Sequence, residues 1–526
     1  MNLFKFNFLF KLIKFIIFIS VEATTNIAST SEGITYNFDR IILASNAPPF
    51  HLEENKPRDY PIRQTRNESL FKKLIKCFKT STKQNIKTSE WQIKQVLIDT
   101  NKFTNYYQEI SNNILWPALH GINDNVFVSD EHSHEQFLSD YKQVNEMFAT
   151  TIYNIHTTLN DLIWVQDYQL LLVGKYLRNK EKENETIPMN LGFFLHTPFE
   201  LKDEFVNNFK KFTREILEGI LSFNKVGFQT NKDRNNFIEL AKEFFGNIKT
   251  KENKNLNLIN LRLKNITPFK GCNLGVYSAS IETGFFTTLA SEPKTKNEAF
   301  EFKNKVLENS LPGGKLFFSV ERFDYTKGIK EKILAYQKYL IDNPDRVGKD
   351  VFYQLAPLNR QKIKTYSQYQ NQCRDLILQI NENFGVNYKR EDGEQIKEGY
   401  KAIDIRTLPL EREKLILRYL AMDVGVITPV KDGMNLVAKE MMVSNPKAAI
   451  ILSKGAGTHH QLYENGLSNN YFLVKDINNA ENFAQVMQQA ATLSEKKRKK
   501  RGKILKNFII ENDVNKWSKD FLVHTD

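Results

Sequence analysis

Cysteine is scarce in this sequence, and two common nucleotide-binding motifs are missing. Its 526 residues include three cysteines, Cys77, Cys272 and Cys373, each isolated from the others. Their spacing provides neither a disulfide framework nor a zinc site. No GxGxxG motif follows an apolar run, and neither does a GxxxxGK motif ending in Ser or Thr. These absences argue against a dinucleotide-dependent oxidoreductase and a P-loop enzyme.

A long uninterrupted apolar run is also missing, even at the N-terminus. The stretch MNLFKFNFLFKLIKFIIFISVEA places Lys5, Lys11 and Lys14 before a short apolar core, with small residues suited to cleavage after Ala23. The stretch is too interrupted to predict a membrane span. Residues 1–23 are therefore interpreted either as a signal peptide or as an amphipathic helical extension.

The composition is that of a basic globular protein. The net charge is +13, with 41% hydrophobic and 12% aromatic residues, and the length allows two or more domains. The lysines are spread along the whole chain without a nucleic-acid-binding signature, so nucleic acid is not predicted as a partner.

Apolar runs typical of buried parallel strands alternate with amphipathic helical segments. The first group is RIILASN, DLIWVQDY, MNLGFFLHTP and NKVGFQT; the second is KLFFSVERFDYTKG, DVFYQLAP, MDVGVITP and AAIILSKG. Between the groups, NSLPGG at 309–314 indicates a linker. The pattern predicts an α/β protein with two domains and a cleft between them.

The stretch PVKDGMNLVAKE lies where a predicted strand turns into a helix. At the carboxyl edge of a doubly wound sheet, Asp432 would stand at the rim, and Gly433 would let a ligand approach the backbone. Glu440, about two turns into the helix, could accept hydrogen bonds from a vicinal diol such as a ribose. On residue types alone, an ordinary capped helix with a solvated glutamate remains an alternative.

A second cluster, SVERFDYTKG, places two cations on the turn after another strand. Arg322 and Lys327 could clamp a diphosphate there, and Arg360 follows the next strand in the same way. Surface charge is the alternative for each residue alone. Three cations at successive carboxyl edges predict an anionic ligand.

Together these motifs carry a family resemblance. SVERFDYTKG, TPVKDGMNLVAKE, GFFLHTPF, WVQDYQLLLVGKYLR, GFQTNKDRNNF and YYQEISNNILWPALH resemble the trehalose-6-phosphate synthase family of retaining glycosyltransferases. The match extends from about Phe38 to the end of the chain. It implies α/β architecture of the GT-B type, with two Rossmann-like domains facing a cleft. The implied parts are an acceptor domain at 36–310, a nucleotide-sugar domain at 315–502, and a helix at 503–526 that crosses back to the first domain.

The resemblance implies transfer of glucose from UDP-glucose to glucose 6-phosphate, giving trehalose 6-phosphate and UDP. The implied catalytic residues are His196, Asp167, Arg322, Lys327 and Asp432. The implied donor-binding residues are Arg322, Lys327, Asp432, Gly433, Met434, Asn435, Leu436, Val437 and Glu440. The implied acceptor-binding residues are Tyr107, Trp116, Asp167 and Arg360. No metal and no cofactor are expected, because cations and helix N-terminal amides can stabilise the leaving group.

Several positions depart from the family pattern on the acceptor side. Ala47 stands where the family has an arginine, and no glycine-rich loop follows it. Gln166 and Gln169 replace histidines around Asp167, and Glu200 replaces a proline. Three interpretations stay open: a working synthase, a catalytically impaired UDP-sugar-binding homologue with a regulatory role, and a transferase for another acceptor.

The implied partners are small molecules and other protein subunits. UDP-glucose and glucose 6-phosphate are the expected substrates, together with a homo-oligomer or a complex with a trehalose-phosphate phosphatase. No phosphatase-like region follows the synthase-like region, so dephosphorylation is expected from another protein. The function predicts a cytoplasmic location, whereas the signal-like segment at 1–23 is compatible with secretion.

Overall fold

The computed structural model describes most of the chain outside its N-terminal part. The described residues are 14–22, 40–46, 50–51, 63–64, 92–122, 131–156, 161–185, 188–254, 256–358 and 364–523. Of the predicted site residues and the departures from the family pattern, Ala47 and Arg360 lie outside this set.

The chain divides into two compact units. Unit 1 holds the residues up to Ala279 together with those from Asn515 onwards, and unit 2 is Ser280–Val514. The division therefore lies earlier in the chain than the predicted linker at 309–314. That segment is a turn inside unit 2, where the Leu311 amide donates to the carbonyl of Gly348.

Unit 1 is built on a mixed sheet. Its strands in chain order are β1 (Lys14–Glu22), β2 (Arg40–Ala44), the separate pair β3 (Phe50–His51) and β4 (Arg63–Gln64), β5 (Gln92–Ile98), β6 (Asp161–Gln166), β7 (Asn190–Phe194), β8 (Lys225–Phe228), β9 (Lys249–Asn253), β10 (Leu258–Arg262) and β11 (Cys272–Val276). The order in the sheet is β5-β1-β2-β6-β7-β8-β11-β10-β9. The central strands β2, β6, β7, β8 and β11 are parallel, and antiparallel strands flank them on both sides. The predicted apolar runs of the first group are all strands of this central region.

The helices of unit 1 cover the apolar strands. They are α1 (Thr100–Phe103), a π-helix (Thr104–Leu115), α2 (Trp116–Leu119), α3 (Glu131–Ile155), α4 (Val173–Glu183), α5 (Asp203–Asn208), α6 (Lys210–Leu221) and α7 (Asn231–Phe245). In α3, Tyr141, Val144, Phe148 and Ile152 recur at helical spacing and are fully buried. Because helices lie over both faces, strand β6 is buried along its whole length.

Residues 14–22, part of the predicted leader, form a strand. β1 pairs antiparallel with β2 and with β5, so that Ile19 lies opposite Leu43 and Ile16 opposite Val96. The amphipathic helix proposed for this segment is not found in it. The segment is rich in Ile, Phe and Val, residue types that are common in strands. Cleavage after Ala23 stays a prediction.

Unit 2 is built on a wholly parallel sheet. Its strands are β12 (Leu316–Val320), β13 (Val351–Leu355), β14 (Ile403–Arg406), β15 (Val424–Ile427), β16 (Ala449–Ser453) and β17 (Phe472–Val474). Their order is β14-β13-β12-β15-β16-β17. Numbered within the unit, this is 3-2-1-4-5-6, the Rossmann order, and the strand sequence reverses between β12 and β15. The predicted runs of the second group all form strands here.

The helices of unit 2 begin well before its first strand. They are α8 (Thr283–Ser291), α9 (Pro293–Val306), α10 (Ile329–Asp342), α11 (Lys364–Asn383), α12 (Arg412–Ala421), α13 (Leu436–Ser444), α14 (Gly457–Glu464), α15 (Ala480–Thr492) and α16 (Glu495–Glu511). Phe286 of α8 and Ala299 of α9 are buried in one core with Leu316 and Phe318 of β12. This packing explains why the division falls near 280 rather than at the predicted linker.

The predicted terminal helix at 503–526 is divided in two. Its first part continues α16 in unit 2, and a second helix, α17 (Val514–Val523), follows. From Asn515 onwards α17 belongs to unit 1. Phe521 stacks on Trp164 of β6 with ring centroids 4.4 Å apart, and Lys225 of β8 donates to the Phe521 carbonyl. None of the described helices is long and apolar enough to cross a membrane.

Candidate functional site

The turn after β12 lies at the point where the strand order of unit 2 reverses. It contains a short 3₁₀ turn, Tyr325–Lys327, and Asp324 caps this turn by accepting from the Thr326 amide and hydroxyl at 3.0 and 2.9 Å. Gly328 follows with a φ of 65°, and a Cβ there would come within 2.3 Å of the Thr428 carbonyl oxygen. Glycine is therefore needed for this turn to lie against the end of β15.

This packing brings together two predicted residues from distant parts of the chain. The Val430 amide donates to the Thr326 carbonyl at 2.9 Å and joins the turns after β12 and β15. Lys327 Nζ lies 2.5 Å from Asp432 Oδ2, and the two side chains are 10% and 18% exposed. An ammonium group has three donors, so the ion pair is compatible with a second, anionic acceptor.

The loop that carries Asp432 is fixed from two sides. Asn435, with a φ of 66°, donates to Asp432 Oδ2 at 3.2 Å and accepts from the Ala438 amide at 3.3 Å, which caps α13. The Gly457 amide donates to the Asp432 carbonyl at 3.1 Å. A Cβ on Gly457 would lie 1.8 Å from the Gly433 carbonyl oxygen. The amides at the start of α13, where Leu436 and Val437 were predicted to face a donor, are thus held in place.

Glu440 lies inside α13 and is not a solvated side chain. It is 3% exposed, and its Oε2 accepts from the Tyr419 hydroxyl at 2.7 Å. The alternative of an ordinary capped helix with a solvated glutamate is therefore wrong for this residue. A buried carboxylate held by a hydroxyl is a preorganised acceptor.

Arg322 is the more exposed cation of the same turn. Its side chain is 46% exposed, and Nη2 lies 3.8 Å from Asp324 Oδ2. Asp324 itself is fully buried. The guanidinium therefore remains accessible at the turn while a buried carboxylate orients it.

In unit 1, Asp167 and His196 follow neighbouring parallel strands. Gln166 at the end of β6 lies opposite Phe194 at the end of β7. Asp167 adopts a φ of 72°, its amide donates to the Phe194 carbonyl at 2.8 Å, and its Oδ1 accepts from the His196 amide at 3.2 Å. A positive φ is uncommon for a residue other than glycine, and these bonds hold Asp167 in that conformation. Burial raises the pKa of Asp167, and the His196 charge opposes the rise.

The His196 ring is held by an uncharged partner. Its Nε2 lies 2.9 Å from Gln166 Oε1, so with this pairing Nε2 carries the proton. Burial lowers the pKa of His196, and Asp167 opposes the lowering. Gln166 was identified in the sequence as a departure from the family pattern, and the structure places it against the predicted catalytic histidine.

The predicted acceptor residues Tyr107 and Trp116 lie in and just after the π-helix. Tyr107 is half-buried and stacks on Phe103, with ring centroids 5.3 Å apart. Trp116 is 8% exposed and packs on Tyr168 at 5.7 Å, next to Asp167 in sequence. A π-helix is rare and often marks a functional site.

Sequence reasoning missed two tyrosines that hold other residues. Tyr419 orients Glu440, and the Tyr106 hydroxyl donates to Asn46 Oδ1 at 2.9 Å. Asn435 was predicted to bind the donor, but its side-chain bond to Asp432 and its cap on α13 were not predicted; an Asn immediately before a helix is a capping signal that could have indicated the cap. No local signal links Tyr419 to Glu440. Within the described residues, no group of three His, Cys, Asp or Glu side chains could hold a metal ion.

The chain consists of two α/β units, each with parallel central strands, and unit 2 has the Rossmann strand order with charged residues at its switch point. The predicted fold class is confirmed. The chain belongs to glycosyltransferase family 20, whose model matches residues 64–525. The resemblance to trehalose-6-phosphate synthases found in the sequence is thereby confirmed.

The relatives are named for one activity. The chain is 39% identical over 440 residues to alpha,alpha-trehalose-phosphate synthase [UDP-forming] 1 of Caenorhabditis elegans, covering 82% of this chain and 32% of that protein. It is 29% identical to trehalose-6-phosphate synthase of Salmonella paratyphi B, covering 84% of each. The Escherichia coli protein solved with UDP-2-fluoro glucose has 26% identity and a TM-score of 0.68, with 82% and 87% of the two chains covered. The chain spans about a third of the length of the nematode relatives.

Proposed function

We propose that this chain is a retaining hexosyltransferase that moves glucose from UDP-glucose to glucose 6-phosphate, giving trehalose 6-phosphate and UDP. The family and the names of its relatives support this reaction. The observation that carries the proposal is the Lys327–Asp432 ion pair at the switch point of unit 2, with Arg322 on the same turn. A nucleotide diphosphate is a ligand expected at such an edge.

On the donor side, each predicted residue has a role that its surroundings support. Arg322 and Lys327 bind the diphosphate, and the amides from Gly433 to Val437, with Met434, Asn435 and Leu436 between them, face the diphosphate and sugar. Glu440 accepts from the ribose hydroxyls. Asp432, which Lys327 and Asn435 hold, accepts from hydroxyls of the transferred glucose.

On the acceptor side, His196 contacts the transferred sugar near the reacting carbon and Asp167 contacts the acceptor. Tyr107, Trp116 and Arg360 bind the acceptor or its phosphate. The Asp167 bond to the His196 amide supports placing the two residues in one site.

The proposed reaction exchanges one C–O bond for another. The bond between glucose C1 and the UDP phosphate oxygen breaks, and its electron pair leaves with UDP. An acceptor hydroxyl oxygen attacks C1 from the same face, and its proton passes to the departing phosphate oxygen. Arg322, Lys327 and the helix amides stabilise the charge that develops on UDP, so the proposal needs neither a metal nor a cofactor.

The assembly and location also stay proposals. A homo-oligomer or a complex with a trehalose-phosphate phosphatase would fit the pathway chemistry, because the product carries a phosphate. The proposed use of UDP-glucose as a substrate favours the cytoplasm as the location of the protein.

The test is UDP release from UDP-glucose by the full chain, because residues 14–22 belong to the sheet of unit 1. We expect release to require glucose 6-phosphate and to vanish in Arg322→Ala. Arg262→Ala, an exposed arginine of unit 1, is the matched control and should behave as wild type. Binding of UDP-glucose without release would contradict the proposed reaction, and release with another sugar alone would contradict the proposed acceptor.

A further inference from the structure

A buried polar cluster lies directly behind the turn that carries Arg322 and Lys327. It consists of Ser319, Glu321, Lys332 and Gln354, none of which was predicted as a site residue. Lys332 of α10 is fully buried, and its Nζ lies 2.5 Å from Glu321 Oε1 and 3.0 Å from Ser319 Oγ. The Glu321 side chain is 7% exposed.

The cluster ties together three strands and a helix. Gln354 of β13 donates to Glu321 Oε1 at 2.9 Å, and Ser319 of β12 donates to the Val426 carbonyl of β15 at 2.6 Å. The Glu321 amide donates to the Leu355 carbonyl at 3.2 Å. Glu321, the residue immediately before Arg322, is therefore fixed in both backbone and side chain.

Stability alone does not explain why a charged pair is buried here. Replacing a buried ion pair by apolar side chains is often neutral or stabilising, whereas removing one partner leaves a costly charge. The particular feature of this pair is its position. Glu321 immediately precedes Arg322 in the chain, and its partner Lys332 is close enough to Lys327 for the two charges to interact. A Glu321 carboxylate without Lys332 would compete with the ligand for the two cations.

The electrostatic environment of Lys332 indicates that the buried pair lies close to Lys327. Burial lowers the pKa of Lys332, the charges of Glu321 and Glu331 oppose the lowering, and the charge of Lys327 adds to it. Lys332 and Lys327 thus act on the same small region, one facing Glu321 and the other facing Asp432.

We propose that Lys332 is a positioning residue that neutralises Glu321 and turns its carboxylate away from Arg322 and Lys327, so that both cations stay available to the diphosphate of a nucleotide. This inference rests on the proposed function and adds a residue to its donor side. Without Lys332, the Glu321 carboxylate would take Arg322 or Lys327 as its partner.

The test measures UDP binding to the full chain by calorimetry, separately from turnover. We expect Lys332→Met to weaken UDP binding by about tenfold or more, because a carboxylate without its cation would compete with the diphosphate. The double variant Lys332→Met with Glu321→Gln also lacks the ion pair, but it lacks the competing charge as well. It should regain UDP binding to within about threefold of wild type.

The matched control is Lys338→Met on the same helix. Lys338 forms an exposed pair with Asp342 at 2.7 Å, so its removal changes the net charge equally without touching the turn. It should leave UDP binding unchanged. Lys332→Arg, which keeps the charge, should also retain binding, and thermal unfolding of each variant separates loss of fold from loss of binding.

Two results would overturn the inference. One is wild-type UDP binding in Lys332→Met; the other is a folded double variant that binds UDP no better than Lys332→Met, because packing rather than charge would then be responsible. If Lys332→Met fails to fold, the single variant Glu321→Gln tests the inference instead. UDP binding by this variant at least as tight as in the wild type supports the inference, and weaker UDP binding contradicts it. Absence of UDP binding in the wild type would instead contradict the proposed function.

Discussion

The carboxyl edges of the two sheets are built with opposite electrostatics. In unit 2, the edge between β12 and β15 is made of ion pairs, Lys327 with Asp432 and Lys332 with Glu321. In unit 1, the edge at β6 and β7 has His196 bonded to the neutral amide of Gln166. The difference teaches that one position in an α/β fold can be prepared either for a doubly charged leaving group or for an uncharged sugar.

The difference also appears in how each edge fixes its key residue. The carboxylate of Asp432 is held by the side chains of Lys327 and Asn435. The carboxylate of Asp167 accepts from the backbone amide of His196, and Asp167 has a positive φ of 72°. Charge changes should therefore have larger effects in unit 2 than in unit 1.

Lys327→Met should have the largest effect among substitutions at the two edges. This change removes a cation expected to bind the diphosphate and leaves Asp432 without its ion-pair partner. We expect kcat/KM for UDP-glucose to fall about a hundredfold or more. Steady-state UDP release would measure it, with Lys338→Met as control. A loss below threefold would show that Lys327 does not face the donor.

Asp167→Asn tests whether the negative charge of Asp167 matters in unit 1, because the variant loses the charge but keeps the side chain in the same place. The amide oxygen of Asn can still accept from the His196 amide, so the expected loss in kcat/KM is about tenfold. Because burial raises the pKa of Asp167, the wild-type rate should begin to fall at a higher pH than for an ordinary aspartate as the solution is acidified. The variant should lack this acid limb.

The measurement for Asp167→Asn is the pH profile of kcat/KM for both proteins. Asp203→Asn, at the exposed start of α5, is the control. Identical acid limbs in wild type and Asp167→Asn would assign the titration to another group.

Gln166→Leu tests whether a neutral hydrogen bond to His196 contributes to the reaction. It removes the acceptor 2.9 Å from His196 Nε2, and one neutral hydrogen bond corresponds to about fivefold in rate. Single-turnover kinetics would measure the effect, with the exposed Gln143→Leu as control. An unchanged rate would mean that packing alone orients the ring.

Tyr419→Phe should have the smallest effect on catalysis. It removes the hydroxyl that donates to Glu440 Oε2 at 2.7 Å but leaves the carboxylate in place. We expect a rise of about threefold in KM for UDP-glucose with little change in kcat. Tyr463→Phe changes an exposed tyrosine of unit 2 and serves as control. A fall in kcat alone would argue against a ribose-binding role for Glu440.

Much of the fold was predictable from the sequence because each buried parallel strand is marked by a short run of apolar residues in the local sequence. Runs such as KLFFSV and MDVGVIT consist of consecutive apolar residues bounded by turn residues, and all eight runs identified in the sequence form strands. Lys327 and Asp432 were each predicted at the carboxyl edge of a strand, and the structure brings them together because β12 and β15 are neighbouring parallel strands; their ion pair itself was not predicted.

What the sequence did not reveal depends on contacts between distant segments. The division near 280 follows from the packing of α8 and α9 on β12. It could not be predicted, because the sequence of an amphipathic helix does not indicate which sheet the helix covers. The partner of Lys332 is likewise set by the direction of α10 across the sheet. Lys332 lies in the polar run IKEK, which alone predicts an exposed helix face.

The stacking of Phe521 on Trp164 has a consequence for the order of synthesis. Strand β6 leaves the ribosome before any residue of unit 2, whereas Phe521 is translated only after Val514, the last residue of unit 2. Unit 2 has its whole sequence available through Val514 before that point. Unit 1 therefore begins before unit 2 but can complete its core only after unit 2 has been translated, when Phe521 becomes available to stack on Trp164.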